Sequence, residues 1–191
     1  MYSERIINSI KESRNGLDNM LNDHSLINKI EFASSQIFET INQNSKIFAC
    51  GNGGSMCDAM HFAEELSGRF REDRRGLPAI SISDPSFITC VANDFGFENV
   101  FSRFLEANAQ KNDLLIAIST SGKSKNILRA CEFSKKSGIR VISLTGRKNS
   151  EVSKYSDIDI CTQNGKYSDR VQELHTLIIH ILVELVEDLM F

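Results

Sequence analysis

The strongest constraint on this chain is an alternation that begins at Lys46, in which the apolar runs KIFAC, LPAISI, DLLIAI, RVISLT and DIDIC are each followed by a turn and then by helix. Strands that alternate with helices imply a parallel sheet covered on both faces. The five runs therefore predict a five-stranded parallel sheet within a three-layer α/β/α sandwich. Right-handed crossovers favour the doubly wound topology, in which ligands sit beyond the carboxyl ends of the strands. Three loops occupy such places: Gly51 to Ser55, Ser83 to Asp94 and Ser119 to Ser124.

Residues 1–44 carry two further helical patterns, Tyr2 to Leu21 and Leu26 to Gln43, separated by Asn22-Asp23-His24-Ser25, which can turn and cap. Both are amphipathic and need a partner surface, so this N-terminal pair is expected to serve oligomer packing. Residues 45–191 supply the α/β core and a closing helix, about Ser168 to Met190. A chain of 191 residues, 41% apolar, suits one domain over 1–191 with a single sizeable core.

A formal charge of −3 provides no general basic field for nucleic acid or an anionic membrane. The apolar stretch Leu174 to Val183 is ten residues long and holds two histidines. A membrane span needs about 20 apolar residues, so this stretch is expected to be a buried helix. Five scattered cysteines without CxxC spacing fit reduced thiols, and the charged N-terminus lacks the apolar run of a signal peptide; a cytoplasmic protein is expected.

Cys50-Gly51-Asn52-Gly53-Gly54-Ser55 follows a strand and opens a helix. Backbone amides can approach an anion closely there, although a tight βα turn would use the same glycines. Ser119-Thr120-Ser121-Gly122-Lys123-Ser124 presents four hydroxyls in an equivalent place, more than a helix cap requires. Hydroxyls, amides and a helix N-terminus together suit a phosphate monoester.

His61 and Glu65 are four residues apart in a helical pattern and share a face, with Arg69 continuing the stripe; a solvated ion pair would show the same spacing. Gln172 and His180 lie eight residues apart in the last helix, about 12 Å of rise, and could approach one small centre from opposite sides. His175 is expected to be structural. The run Arg69, Arg71, Arg74 and Arg75, diluted by Glu72 and Asp73, is expected to be solvated except at Arg69.

GNGGS followed by the DAMHFAEEL helix, with STSGKS further on, resembles the sugar isomerase (SIS) domain family. HFAEELSGRF, ISDPSFITCVANDFGFENVFSR and YSDRVQELHTLIIHIL are similar to segments of its sedoheptulose 7-phosphate isomerases, over nearly the whole chain. Lys123 stands where asparagine is usual and Met56 where histidine or alanine is commoner. The resemblance implies a flavodoxin-like sheet and an aldose–ketose isomerase that converts sedoheptulose 7-phosphate to D-glycero-D-manno-heptose 7-phosphate through an enediol. That reaction begins nucleotide-heptose synthesis for lipopolysaccharide. The resemblance also implies a cytoplasmic homotetramer with no nucleic-acid or membrane partner.

By the same resemblance, one zinc per subunit is held by His61, Glu65, Gln172 and His180, with Glu65 and His180 as the acid–base pair. Substrate contacts fall to Asn52, Gly53, Gly54, Ser55, Glu65, Arg69, Asn93, Asp94, Ser119, Thr120, Ser121, Ser124, Asp169 and Gln172. A relative that only binds sugar phosphates would need the loops without the zinc-binding quartet, whereas an isomerase of a shorter phosphosugar would need both.

Overall fold

The five apolar runs form strands because each is buried between two layers of helices. In the computed structural model, which describes residues 2–191, the strands are β1 (Ile47–Gly51), β2 (Ala79–Ser81), β3 (Leu114–Ser119), β4 (Arg140–Thr145) and β5 (Ile158–Cys161). All neighbours run parallel, in the order β2-β1-β3-β4-β5. Every residue of β1 and β3 is buried, which explains why these runs read as continuously apolar.

The helices are α1 (Tyr2–Asn22), α2 (His24–Asn42), α3 (Gly54–Ser67), α4 (Pro85–Phe95), α5 (Val100–Asn108), α6 (Lys125–Lys136) and α7 (Ser168–Met190). Alternate strand residues feed two cores. Ile47, Ala49, Leu114, Ile116 and Ile118 pack beneath α2, α3 and α7. Phe48, Cys50, Leu115 and Ala117 pack beneath α4, α5 and α6. The sandwich predicted from the strand pattern is thus present. All five cysteines are free.

Three local expectations require correction. Only Asp23 separates α1 from α2; its carboxylate accepts from the Leu26 amide, so α2 begins at His24. Most of Ser83 to Asp94 is helix, not loop: Asp84 caps the Phe87 amide at 2.7 Å and Pro85 occupies the first turn. Phe87, Ile88, Val91 and Ala92 then face the second core. Finally, α3 ends at Ser67, so Arg69 lies beyond the helix and does not extend the His61 and Glu65 stripe.

The N-terminal pair divides in role. Leu26, Ile30, Ala33, Ile37 and Ile41 of α2 belong to the first core, whereas α1 buries only Gly16.

Candidate active site

In this strand order the chain reverses direction between β1 and β3, which opens a crevice beyond their carboxyl ends. Both glycine- and serine-rich loops enter it. Asn52 of the first and Asn126 of α6 exchange side-chain amide hydrogen bonds of 2.9 and 2.8 Å, tying the loops together. Asn126 was not anticipated from sequence, because only the pairing of β1 with β3 brings it to Asn52.

The helices that start at this crevice lack side-chain caps. At α3 the capping position is Gly53, with φ +55° and open space where a Cβ would lie. At α6 it is Ser124, whose hydroxyl makes no capping bond. Asp23 and Asp84 cap α2 and α4 in the ordinary way, whereas α5 and α7, like α3 and α6, have no side-chain cap. The Ser55 and Met56 amides donate to the Asn52 and Gly53 carbonyls and the Ile127 amide to Asn126 Oδ1, so an anion here would draw on the helix dipoles and the remaining first-turn amides. Ser119, 4% exposed, shapes the second loop by accepting from the Gly122 amide at 3.1 Å. The Ser121 hydroxyl accepts from the Lys123 amide at 3.3 Å. Thr120 and Ser121 border a cavity of about 250 Å³ that Arg147, Lys166 and Ser168 also line, while Ser55 is buried below the first loop.

Farther along α3, two turns from Gly54, stands a compact donor cluster. His61 Nε2 lies 2.8 Å from His180 Nε2 and 3.4 Å from Glu65 Oε1. Donor atoms of His61, Glu65 and His180 all fall within 4.8 Å of one another. Two imidazole nitrogens and a carboxylate facing a common point form a donor set suited to zinc with an open position, so these residues fit a metal. The Phe70 ring stacks on His180, with centroids 5.9 Å apart.

Gln172 reaches toward the start of α3. A Cβ on Gly54 would come within 2.6 Å of the Gln172 amide nitrogen, so glycine is what admits this side chain. Thr176, one turn later on α7, donates to Asp58 Oδ1 at 2.8 Å. Asp58 Oδ2 is buried without a partner. Burial raises the Asp58 pKa, opposed by the Thr176 hydrogen bond and the His61 charge. Sequence reading missed Asp58; its position one helical turn before His61 was the available signal.

The remaining expected site residues are not gathered here. Arg69, Asn93 and Asp94 are exposed, and Asn93 donates to Asp94 at 2.7 Å. The Asp169 side chain is 61% exposed and faces Arg170. Arg74 overturns the expectation of a solvated loop: its side chain is only 2% exposed, because it pairs with Glu187 and with carbonyls at the end of α3.

The sequence profile of the SIS domain matches residues 10–146. The chain is 49% identical over 187 residues to the phosphoheptose isomerase of Sodalis glossinidius (strain morsitans), covering 98% of this chain and 96% of that protein. It is 47% identical to the phosphoheptose isomerase of Vibrio cholerae serotype O1, covering 98% of each. Its fold is similar to the solved structure of phosphoheptose isomerase GmhA from Neisseria gonorrhoeae. The TM-score is 0.91 at 31% identity, over 98% of this chain and 100% of that one.

Proposed function

The chain belongs to the phosphoheptose isomerases of the SIS domain family, and from that premise we propose how its crevice performs the reaction. The enzyme isomerises sedoheptulose 7-phosphate to D-glycero-D-manno-heptose 7-phosphate. The observation that carries the catalytic reading is the convergence of His180, from α7, with His61 and Glu65 on the helix that starts at the phosphate-type loop.

Ketose-to-aldose conversion moves a proton from C1 to C2 and exchanges protons on both oxygens, which two placed acid–base groups can accomplish. Glu65 takes the C1 proton to form the enediol and returns it to C2. His180 gives a proton to O2 and accepts the one from O1. Ser119, Thr120, Ser121 and Ser124, with the open amides of α6, hold the phosphate and so fix the distance of C1 from Glu65. Asn52, Gly53, Gly54 and Ser55 line the approach beside the sugar.

His61, Glu65 and His180 would hold one zinc per subunit, with Gln172, whose amide lies beside Gly54 two turns of α3 away, swinging toward them as the fourth donor. Such an ion supplies Lewis-acid polarisation of the carbonyl and stabilises enediolate charge. The carboxylate has two oxygens, so Glu65 can face the cluster through Oε1 and keep the other for the substrate proton. We assign Arg69, Asn93, Asp94 and Asp169, exposed in the single chain, to sugar contacts completed by a neighbouring subunit of a homotetramer.

α1 favours that assembly by exposing Ile6, Ile10 and Leu21. So does an apolar groove of about 550 Å³ lined by Leu17, Ile27, Leu177 and Ile181. Among the described residues no helix is long and apolar enough to cross a membrane. Cytoplasmic supply of heptose for lipopolysaccharide completes the proposal. Incubation of the purified protein with sedoheptulose 7-phosphate, and separately with six- and five-carbon phosphoketoses, tests it. Turnover of the heptulose is expected to exceed the others, and preference for a shorter sugar would overturn the substrate assignment.

A further inference from the structure

The donor cluster is divided between two helices, His61 and Glu65 on α3 and His180 on α7. Its dimensions therefore depend on how those helices are held together. Apolar packing of Phe62 and Leu66 against α7 brings them into contact but sets axial position and rotation loosely, because such contacts are non-directional. A directional link lies just beyond the site.

Arg74, in the segment after α3, donates from Nε to Glu187 Oε1 of α7 at 2.6 Å. Its terminal nitrogens donate to the carbonyls of Glu65 and Leu66 at 2.8 Å each, and to that of Gly68 at 2.9 Å. These are end-of-helix carbonyls with few intrahelical donors, where a cation is also favoured by the helix dipole. Glu187, 9% exposed in its side chain, also accepts from the Arg71 amide at 3.4 Å. One guanidinium thus joins the peptide group of Glu65 to a residue two turns beyond His180 on α7. The same segment lays Phe70 against His180 and carries the Arg71 contact with Glu184.

We infer that Arg74 is a positioning residue for the cluster, setting the approach of α3 to α7 through Glu187 and hence the spacing of His61, Glu65 and His180. A purely stabilising role is the alternative. Apolar residues at both positions remove the directional link and also leave the Glu65, Leu66 and Gly68 carbonyls without their guanidinium donor, so stability and metal affinity are read separately. The inference rests on the cluster being a metal site.

The test uses full-length R74M/E187L and R74K proteins stripped of metal, with zinc alone as the probe, titrated against a chromophoric chelator. R74M/E187L is expected to melt lower than wild type, because the Glu65 and Leu66 carbonyls lose their donor, yet to stay folded at the assay temperature, where its zinc Kd rises about tenfold or more, the usual scale for losing a group that orients metal ligands. At saturating zinc its kcat falls with little change in KM, since the phosphate loops lie at the opposite end of α3. R74K keeps the charge but not the planar fork, and is expected to fall between wild type and the double variant. Zinc affinity and kcat equal to wild type in folded R74M/E187L would overturn the inference. Should that variant fail to fold, the same result in R74K would overturn it. Wild-type protein that binds no zinc would instead sink the metal reading, a failure visible before any variant is made.

Discussion

His175 and His180 lie five residues apart on α7, yet the helix turns them into opposite environments. His175 is fully buried with Nε2 3.2 Å from the Thr145 carbonyl, and burial pulls its pKa down to about 4. It remains neutral where an unfolded chain, with an ordinary histidine near 6.5, would bind a proton. Stability is therefore complete above about pH 6.5 and is lost as pH falls toward 4, by about 3 kcal/mol. His175→Gln, which can donate but not titrate here, is expected to flatten unfolding free energy across that window; an unchanged slope would assign the acid sensitivity elsewhere. His180, partly exposed beside His61, is the one proposed for acid–base work. Glu65→Gln and His180→Ala are each expected to lower turnover about a hundredfold or more with folding intact. Near-normal turnover in either folded variant would remove that residue from the acid–base pair.

At the scale of elements, α3 links the anion loop to the donor cluster, with Gly54 at one end and Glu65 at the other. Alanine at Gly54 would favour the helix by about 1 kcal/mol or less. Its Cβ would nevertheless meet the Gln172 amide at 2.6 to 2.8 Å. That amide ends a flexible side chain and can move aside, so Gly54→Ala is expected to melt no lower than wild type while turnover falls through the displaced Gln172. Full turnover in this variant would show that Gln172 need not sit where the structure places it. α3 and α6 carry no N-cap side-chain bond where they start at the crevice, whereas aspartates cap α2 and α4.

For the whole molecule, the three clustered donors come together within one chain. Hybrids made by dissociating and mixing Glu65→Gln with His180→Ala are accordingly expected to recover no activity. Recovery in verified hybrids would mean that the cluster assembles across subunits instead. The apolar groove between α1, α2 and α7 is the face on which the proposed tetramer would close. Ile27→Glu combined with Leu177→Glu is expected to reduce the sedimenting mass without lowering the melting temperature of the single chain, since both residues are exposed within it. An unchanged tetramer would place the interface elsewhere.

The strand positions, the bounds of α7 and the turn-forming character of both loops were legible in the amino-acid sequence. Buried parallel strands announce themselves as apolar runs, and turn chemistry is local. Family motifs already pointed to His61, Glu65 and His180, which the fold brings together, and to Gln172, which lies beside Gly54. The ISDPS stretch was locally legible too, since an aspartate before proline starts a helix, but it was mistaken for a loop. Other features depended on which elements become neighbours. The 2.8 Å approach of His61 to His180 spans 119 residues, and the Asn52 and Asn126 pair exists only because β1 lies beside β3. Arg74 reads as one more basic loop residue until α7 brings Glu187 to it, and Asp58 looks like an ordinary helix acid until Thr176 covers it. Periodicity tells which face of an element is buried, but long-range packing alone decides what that face meets.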